Sequence, residues 1–277
     1  MPQPLLVDVD RIIQNKLGTK AKYVPGFVTS YLKRIIHQDW INQFILQEGE
    51  IQGVQWMKDC VEYLRLNITV KGLENLPLAS EGRRFTFASN HPLGGPEGIV
   101  LGSLLGEHYE GNIRFLANDI LMGLSGLAPL FVPINKTGRQ ARDLPRMVDA
   151  SFKSDHNLII FPAGLCSRMI DGRVQDLPWT KTFVAKSVES QRDIVPIHFS
   201  GQNSPFFYRL ANVTKWLGLK VNIAMLYLVD ELYKQQGNHL TIHIGKPIAW
   251  QHFTAEKTPT QWAAFVRDLV YQLPSKT

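Results

Sequence analysis

From Asn67 onward the apolar residues of this chain fall into short runs of four to eight, rich in β-branched and aromatic side chains: "NITV", "RFTFAS", "NIRFLA", "LFVPI", "NLIIFPA", "DIVPIHF", "NIAMLYLV" and "HLTIHIG". Stretches with helical spacing separate several of them, at residues 96–106, 144–153 and 180–189. Strands alternating with helices predict an α/β layer fold with a mixed, largely parallel sheet flanked by helices. Such sheets bind their ligands outside the carboxyl ends of the strands. Three polar loops follow predicted strands: Asn90-His91 after "FTFAS", residues 135–139 after "LFVPI", and residues 163–168 after "LIIF". Their common placement predicts one shared site.

The chain before Asn67 has a different period. Residues 8–66 read as helical, with Phe27, Tyr31, Ile35, Trp40 and Phe44 spaced to share roughly one helix face. Lys33, Arg34 and His37 lie between them, and a second helical pattern spans residues 50–64. The expected division is therefore an N-terminal helical, membrane-associating subdomain at 1–66 and an α/β domain at 67–277. Two readings of the helices are open. Their apolar faces could pack on the rest of the protein, or they could lie in a membrane interface with aromatics inserted and basic groups at the head groups. The net charge of +6 favours an anionic partner, although a solubilising surface charge reads the same way. Asp8 and Asp10 interrupt the apolar core that a signal peptide needs. The mostly apolar residues 120–134 fall short of the roughly 20 a spanning helix requires and contain two Pro and two Gly, so no transmembrane helix is expected.

The stretch "FASNHPLGGPEG" carries the clearest chemistry. Pro96 suits the first turn of a helix, and Glu97 beside it complements the helix dipole. Gly94 and Gly95 allow the backbone to fold so that His91 and Glu97 face each other. A carboxylate on one imidazole nitrogen fixes the tautomer and leaves the other nitrogen free to accept a proton from a substrate hydroxyl. On the residues alone, a structural turn is an equal reading.

Four further blocks stand in order with this one: "VKGLENLP" at 70–77, "FVPINK" at 131–136, "FPAGLCSR" at 161–168 and "IVPIHF" at 194–199. Together they resemble the blocks of the phospholipid/glycerol acyltransferases, the family that includes the 1-acylglycerol-3-phosphate acyltransferases. "NHPLGGPEG" resembles that family's Asn-His-x4-Asp block, and "FPAGLCSR" its Phe-Pro-Glu-Gly-Thr-Arg-Ser block. "YLKRIIHQDWIN" and the Gly-Gly form of the His loop are more similar to a bacterial branch, the haemolysin-like or lyso-ornithine-lipid acyltransferases. The resemblance covers most of residues 25–200. There are departures: five residues separate His91 from Glu97 where the family has four before an Asp, Ala163 replaces a Glu, Cys166 replaces an Arg, and Lys136 replaces an Arg.

The resemblance implies a glycerol-phosphate acyltransferase-like fold and transfer of a fatty acyl group from acyl-CoA or acyl-carrier protein to the hydroxyl of a lysolipid such as 1-acylglycerol-3-phosphate. An amino-acid lipid (ornithine- or glycine-type) or an amine is the alternative acceptor, and a non-catalytic lipid-binding protein on the same fold is a third reading. His91 is then the general base and Glu97 its orienting carboxylate. Asn90, Lys136, Arg139, Gly164 and Arg168 are the implied substrate-binding residues, with the basic groups on the acceptor's anionic head. No cofactor or metal is implied, and the partners are the lysolipid, the acyl thioester and an anionic membrane surface, not nucleic acid. The implied location is peripheral, on the cytoplasmic face of the inner membrane.

Other residues carry weaker signals. Cys166 has no basic partner evident in sequence and reads as a packing residue. Ser125 in "GLSG" lacks the spacing of a hydrolase elbow. The two cysteines form no disulfide framework or zinc spacing, which suits a reducing compartment. His198 reads as a core histidine. Trp179, Lys181 and Lys186 in "DLPWTKTFVAKS" could meet the phosphates of a donor, or simply begin an amphipathic helix.

Overall fold

A computed structural model describes residues 5–79, 82–118, 124–134, 144–218 and 223–276. The chain opens with four helices, α1 (Val9–Leu17), α2 (Gly26–Ile35), α3 (Gln38–Glu48) and α4 (Val54–Tyr63). Then come β1 (Asn67–Lys71), β2 (Phe85–Ser89), α5 (Pro96–His108), β3 (Ile113–Asn118), β4 (Phe131–Ile134), α6 (Leu144–Lys153) and β5 (Asn157–Ile160). A small antiparallel hairpin, β6 (Arg168–Ile170) with β7 (Arg173–Gln175), leads into α7 (Thr182–Glu189) and β8 (Asp193–Phe199). Helices α8 (Pro205–Trp216) and α9 (Leu228–Lys234) follow, then β9 (His239–Ile244) and α10 (Pro259–Lys276).

The described strands form a seven-stranded sheet in the order β1-β9-β8-β2-β5-β3-β4. Neighbours pair in parallel except at β8 and β9, which are antiparallel. The sheet is thus mixed and largely parallel, as the alternating runs require. Its centre is buried on both faces, which is why every residue of β2 is buried, Thr86 and Ser89 included. Phe85 and Phe87 point to a layer containing α4 and α5, where they meet Met57, Val100 and Leu105. Ala88 points the other way, to a layer with Phe152 of α6, Phe183 of α7 and Val266 of α10. Burying a side chain such as Phe87 contributes about 1.5–3 kcal/mol. Gly102 of α5 makes its layer possible: a side chain there would collide with Met57 of α4.

Two expectations change. "NIAMLYLV" is not a strand; it forms a 3-10 turn (Ile223–Tyr227) and then α9. A short apolar run fits either state, and here Ala224 and Leu228 pack against α8 rather than along a sheet edge. The row from Phe27 to Phe44 is also not one face. Helix α2 stops after Ile35, and the chain turns through a left-handed His37 before α3. His37 is held there by Asp230 at 2.8 Å and by stacking on Tyr233 at 3.9 Å. Ile35 and Phe44 are consequently buried, while Phe27 and Tyr31 stay exposed. Helix α4 thus joins the main core, while α2 keeps Phe27 and Tyr31 on an outer face. Among the described residues, no helix is long and apolar enough to cross a membrane.

Candidate active site

The site is built where β2 ends. Asn90 is buried, its side-chain amide donating to the carbonyl of Phe199 (2.9 Å) and accepting from the Phe199 N–H (2.7 Å). That pair ties the end of β2 to the end of β8, and it uses both ends of the Asn90 amide. The next residue, His91, is gripped by its backbone. Its N–H is shared between the two carboxylate oxygens of Asp176 (3.2 and 3.3 Å), and its carbonyl accepts from the Ser167 N–H (2.7 Å).

The loop after His91 folds around a carboxylate. Glu97 lies in the first turn of α5, behind Pro96, with no exposure at all. Its Oε1 accepts from the N–H groups of Leu93 (3.0 Å) and Gly94 (2.8 Å), and its Oε2 from that of Gly95 (3.3 Å). Successive backbone N–H groups converging in this way make an anion-binding nest. Gly94 takes φ +90, and a side chain there would press on Leu228 at 2.8 Å, so the position suits glycine. Nδ1 of His91 reaches 2.8 Å from Oε1 of Glu97, in a bent approach. Burial by itself would raise the Glu97 pKa, but the neighbouring His91 charge and bond, with the Gly94 N–H, outweigh it and hold the group below the ordinary carboxylate value. Glu97 is therefore an ionised, fully enclosed carboxylate on one imidazole nitrogen.

The His91 ring stacks on Phe161 at 4.4 Å and keeps about one-fifth of its side chain, 19%, in contact with solvent. Nε2 has no hydrogen-bond partner among the described residues. The dyad thus presents a base at the C-terminal ends of β2 and β5, as expected for an α/β sheet.

The loop after β5 supplies the other wall. Gly164, at φ +69, turns the chain and gives its N–H to the Phe161 carbonyl (2.9 Å). Arg168 begins β6; its guanidinium donates to the Cys166 carbonyl (2.7 Å) and lies 5.6 Å over the Phe207 ring. Burial pushes the Cys166 thiol up, against the opposing influence of Arg168, so it is a poor nucleophile at neutral pH. Lys136 and Arg139 lie outside the described residues. His91 and Gly164 thus stand on two adjacent loops, with Glu97 at the start of α5, Arg168 at the start of β6 and Asn90 as the clamp beneath.

Three groups at the site were not anticipated from sequence. Asp176 is buried and, besides His91, accepts from the Ser167 hydroxyl (2.5 Å) and the Trp179 indole (2.9 Å). Burial raises its pKa, with these three donors opposing the rise. Asp176 thereby straps the His loop to the loop bearing Ser167. Trp179 is spent on this strap, and Lys186 pairs with Asp149 and Glu189, so neither stands open for a donor's phosphates. Asn203 donates to the Leu93 carbonyl (3.1 Å) and anchors the approach to α8. Leu228 of α9 covers Gly94. Helices α8 and α9 thus cap the His loop with an apolar cluster of Cys166, Phe207, Tyr208, Ala211 and Ala224. His198, pushed down to about 4 by burial and then by His243, stays neutral and reads as a core histidine. Among the described residues, no group of three or more His, Cys, Asp or Glu is placed to hold a metal ion.

A buried carboxylate behind a partly exposed histidine, with no protein nucleophile on the dyad among the described residues, is chemistry suited to activating a hydroxyl. The comparisons with known proteins bear on the family and the fold. A family profile described as acyltransferase matches residues 11–276. The chain belongs to this acyltransferase family. A lyso-glycine lipid O-acyltransferase of Phocaeicola vulgatus is 56% identical over 97% of this chain and 95% of its own length. A second protein so named, from Bacteroides thetaiotaomicron, is 55% identical over 97% of each. Among solved structures, the 1-acyl-sn-glycerophosphate (LPA) acyltransferase PlsC of Thermotoga maritima superposes over 96% of both chains with a TM-score of 0.52 at 17% identity, a likeness of fold. The enzyme is therefore an acyltransferase on the sheet architecture its sequence implied.

Proposed function

We propose that this acyltransferase moves a fatty acyl group from an acyl thioester to the hydroxyl of an amino-acid lysolipid of the glycine type. The observation that carries the chemistry is the His91–Glu97 contact at 2.8 Å, with Nε2 left open. Nε2 removes the proton from the acceptor hydroxyl as its oxygen attacks the thioester carbonyl. Glu97 holds the ring and balances the imidazolium. The tetrahedral intermediate collapses, the thiolate leaves, and Nε2–H returns the proton to sulfur. The products are an ester and a free thiol, with no acyl-enzyme. Coenzyme A and the prosthetic arm of acyl-carrier protein offer the same thioester to this mechanism.

For the acceptor, the sequence favoured 1-acylglycerol-3-phosphate first and an amino-acid lipid second. The relatives at 55–56% identity support the second. The departures point the same way. Ala163 and Cys166 stand where the glycerol-phosphate enzymes carry Glu and Arg, so fixed charge for a phosphate dianion is reduced. A single carboxylate needs less, and Arg168 can meet it with two parallel bonds. Lys136 and Arg139 are proposed to share that role. The enzyme works peripherally on the cytoplasmic face of the inner membrane, with Phe27 and Tyr31 of the N-terminal subdomain toward the lipid.

The test is competition between lyso-glycine lipid and 1-acylglycerol-3-phosphate at equal concentration for one acyl thioester. The glycine lipid should be acylated at least tenfold faster, and Arg168→Ala should slow it. Equal rates, or a preference for the phosphate, would overturn the acceptor assignment.

A further inference from the structure

Helix α8 is apolar on both of its sides. Phe207, Tyr208 and Ala211 turn inward and are buried in the cap over the His loop. Phe206, Val213 and Trp216 turn outward, 49%, 51% and 84% exposed, and Leu217 just beyond is 55% exposed. Their spacing sets them on one stripe of the helix. A surface helix in water ordinarily carries charge on that side. Here Arg209 is the charge among the described exposed side chains.

The stripe does not end with the helix. The Phe206 ring meets Tyr227 at 5.1 Å, and the Tyr227 hydroxyl meets that of Tyr31 on α2. Beyond Tyr31 lie Phe27 and Tyr23, 76% and 74% exposed. Two segments joined across 196 positions of chain thus merge into one aromatic and aliphatic surface. Cations border it: Arg34 lies 5.1 Å over the Tyr31 ring and Lys22 5.1 Å over the Tyr23 ring. Contiguous exposed apolar surface of this kind marks an interaction site. Aromatic anchors with a basic border complement an anionic head-group layer. A second copy of this chain, at the same net charge of +6, would bring like charge to that border.

We propose that the outer face of α8 inserts into an anionic bilayer leaflet, with Trp216 as its deepest anchor, beside the N-terminal helices. The inner face of the same helix shares its cluster with Cys166, whose Cβ lies 3.3 Å from where a side chain on Gly94 would begin. Helix α8 therefore spans from the leaflet to the His91 loop, so that an acyl chain reaches the dyad along apolar surface. The inference extends the proposed peripheral location but is read without turnover, so its failure and that of the acyl-transfer reading are distinguishable.

The experiment uses the full chain and vesicles of equal phosphatidylglycerol and phosphatidylcholine, with and without brominated acyl chains. Trp216 is the exposed one of six tryptophans; the other five are buried or half-buried. Brominated lipid should quench the wild type, and Trp216→Phe, which preserves the helix, should lose most of that quenching. Flotation should show Phe206→Ser with Trp216→Ser binding at least tenfold more weakly, at unchanged circular dichroism. Salt should weaken the binding of the wild type. Phe27→Ser should bind less but keep Trp216 quenching at saturating lipid. Wild-type protein that does not float, or floats unquenched, would overturn the proposal. So would a double variant that floats normally, or one that loses self-association and not vesicle binding.

Discussion

Replacing Glu97 by Gln isolates what the buried charge does, because shape is nearly kept. The amide oxygen can take the place of Oε1 and still accept from Leu93 and Gly94. The amide nitrogen then faces the Gly95 N–H, a donor against a donor. That mismatch costs about 1 kcal/mol, equivalent to roughly 2–4 °C in Tm for a chain of this size. The catalytic loss is larger. At 2.8 Å and an effective dielectric near 20, a carboxylate and an imidazolium attract by about 6 kcal/mol. A neutral amide recovers part of this by hydrogen bonding, leaving about 3–4 kcal/mol lost when the imidazolium forms. At 1.36 kcal/mol per decade, kcat should fall roughly 10²–10³-fold. The assay is thiol release from the acyl thioester under saturating acceptor, with circular dichroism and Tm as fold controls. Combining Glu97→Gln with His91→Ala should add little to His91→Ala alone, because the two groups act as a unit. A folded Glu97→Gln enzyme within threefold of the wild-type kcat would show that the buried charge does not stabilise the imidazolium.

Gly94→Ala should destabilise by about 1–3 kcal/mol and lower kcat, since φ +90 and the Leu228 contact both oppose a side chain; thermal unfolding beside turnover checks it. Asp176→Asn removes one acceptor from a buried strap on the His91 N–H, so it should cost about 1–3 kcal/mol and lower kcat with the donor KM nearly unchanged; a KM effect alone would contradict a positioning role. Glu48 is pushed up to about 7, by burial first and then by Asp59, and so favours its protonated form in the folded state. Its contribution is present at low pH and lost as pH rises from 4.5 through about 7; Glu48→Gln should therefore unfold at higher temperature than wild type at pH 8 and show a flatter pH profile. Glu97 has the opposite sign: its pKa is depressed, so its stabilisation is present above 4.5 and lost as pH falls below that value, which acid unfolding of Glu97→Gln against wild type would read.

What the sequence made legible was what is local or continuous. The strand β2 could be read because both faces of its sheet are covered, so every residue in "FTFAS" is buried. The His91–Glu97 pair could be read because its nest is built from N–H groups within four residues of Glu97. The N–H groups of Leu93, Gly94 and Gly95 and the His91 ring all converge on the one Glu97 carboxylate. Asp176 was invisible for the converse reason: it meets His91 across 85 positions of chain, through a hairpin that gives no local signal. "NIAMLYLV" went astray because an apolar run does not say which neighbour will bury it, and α8 was there where a sheet edge was expected. The break between the outward-facing α2 and α3 likewise rests on a left-handed residue, His37, held by Asp230 from α9 across 193 positions of chain.

In the proposed mechanism His91 takes the proton from a lysolipid hydroxyl in a direct transfer. Mass-spectrometric product formation from lyso-glycine lipid and an acyl thioester, by wild type and His91→Ala, with intact-mass analysis of the protein during turnover, reads this step. Direct transfer by His91 should give an O-acylated product, a roughly 10²–10⁴-fold slower folded His91→Ala enzyme, and no acyl adduct on the protein at any time. Wild-type turnover by His91→Ala, or a covalent acyl-enzyme that forms and decays at the rate of product release, would contradict it.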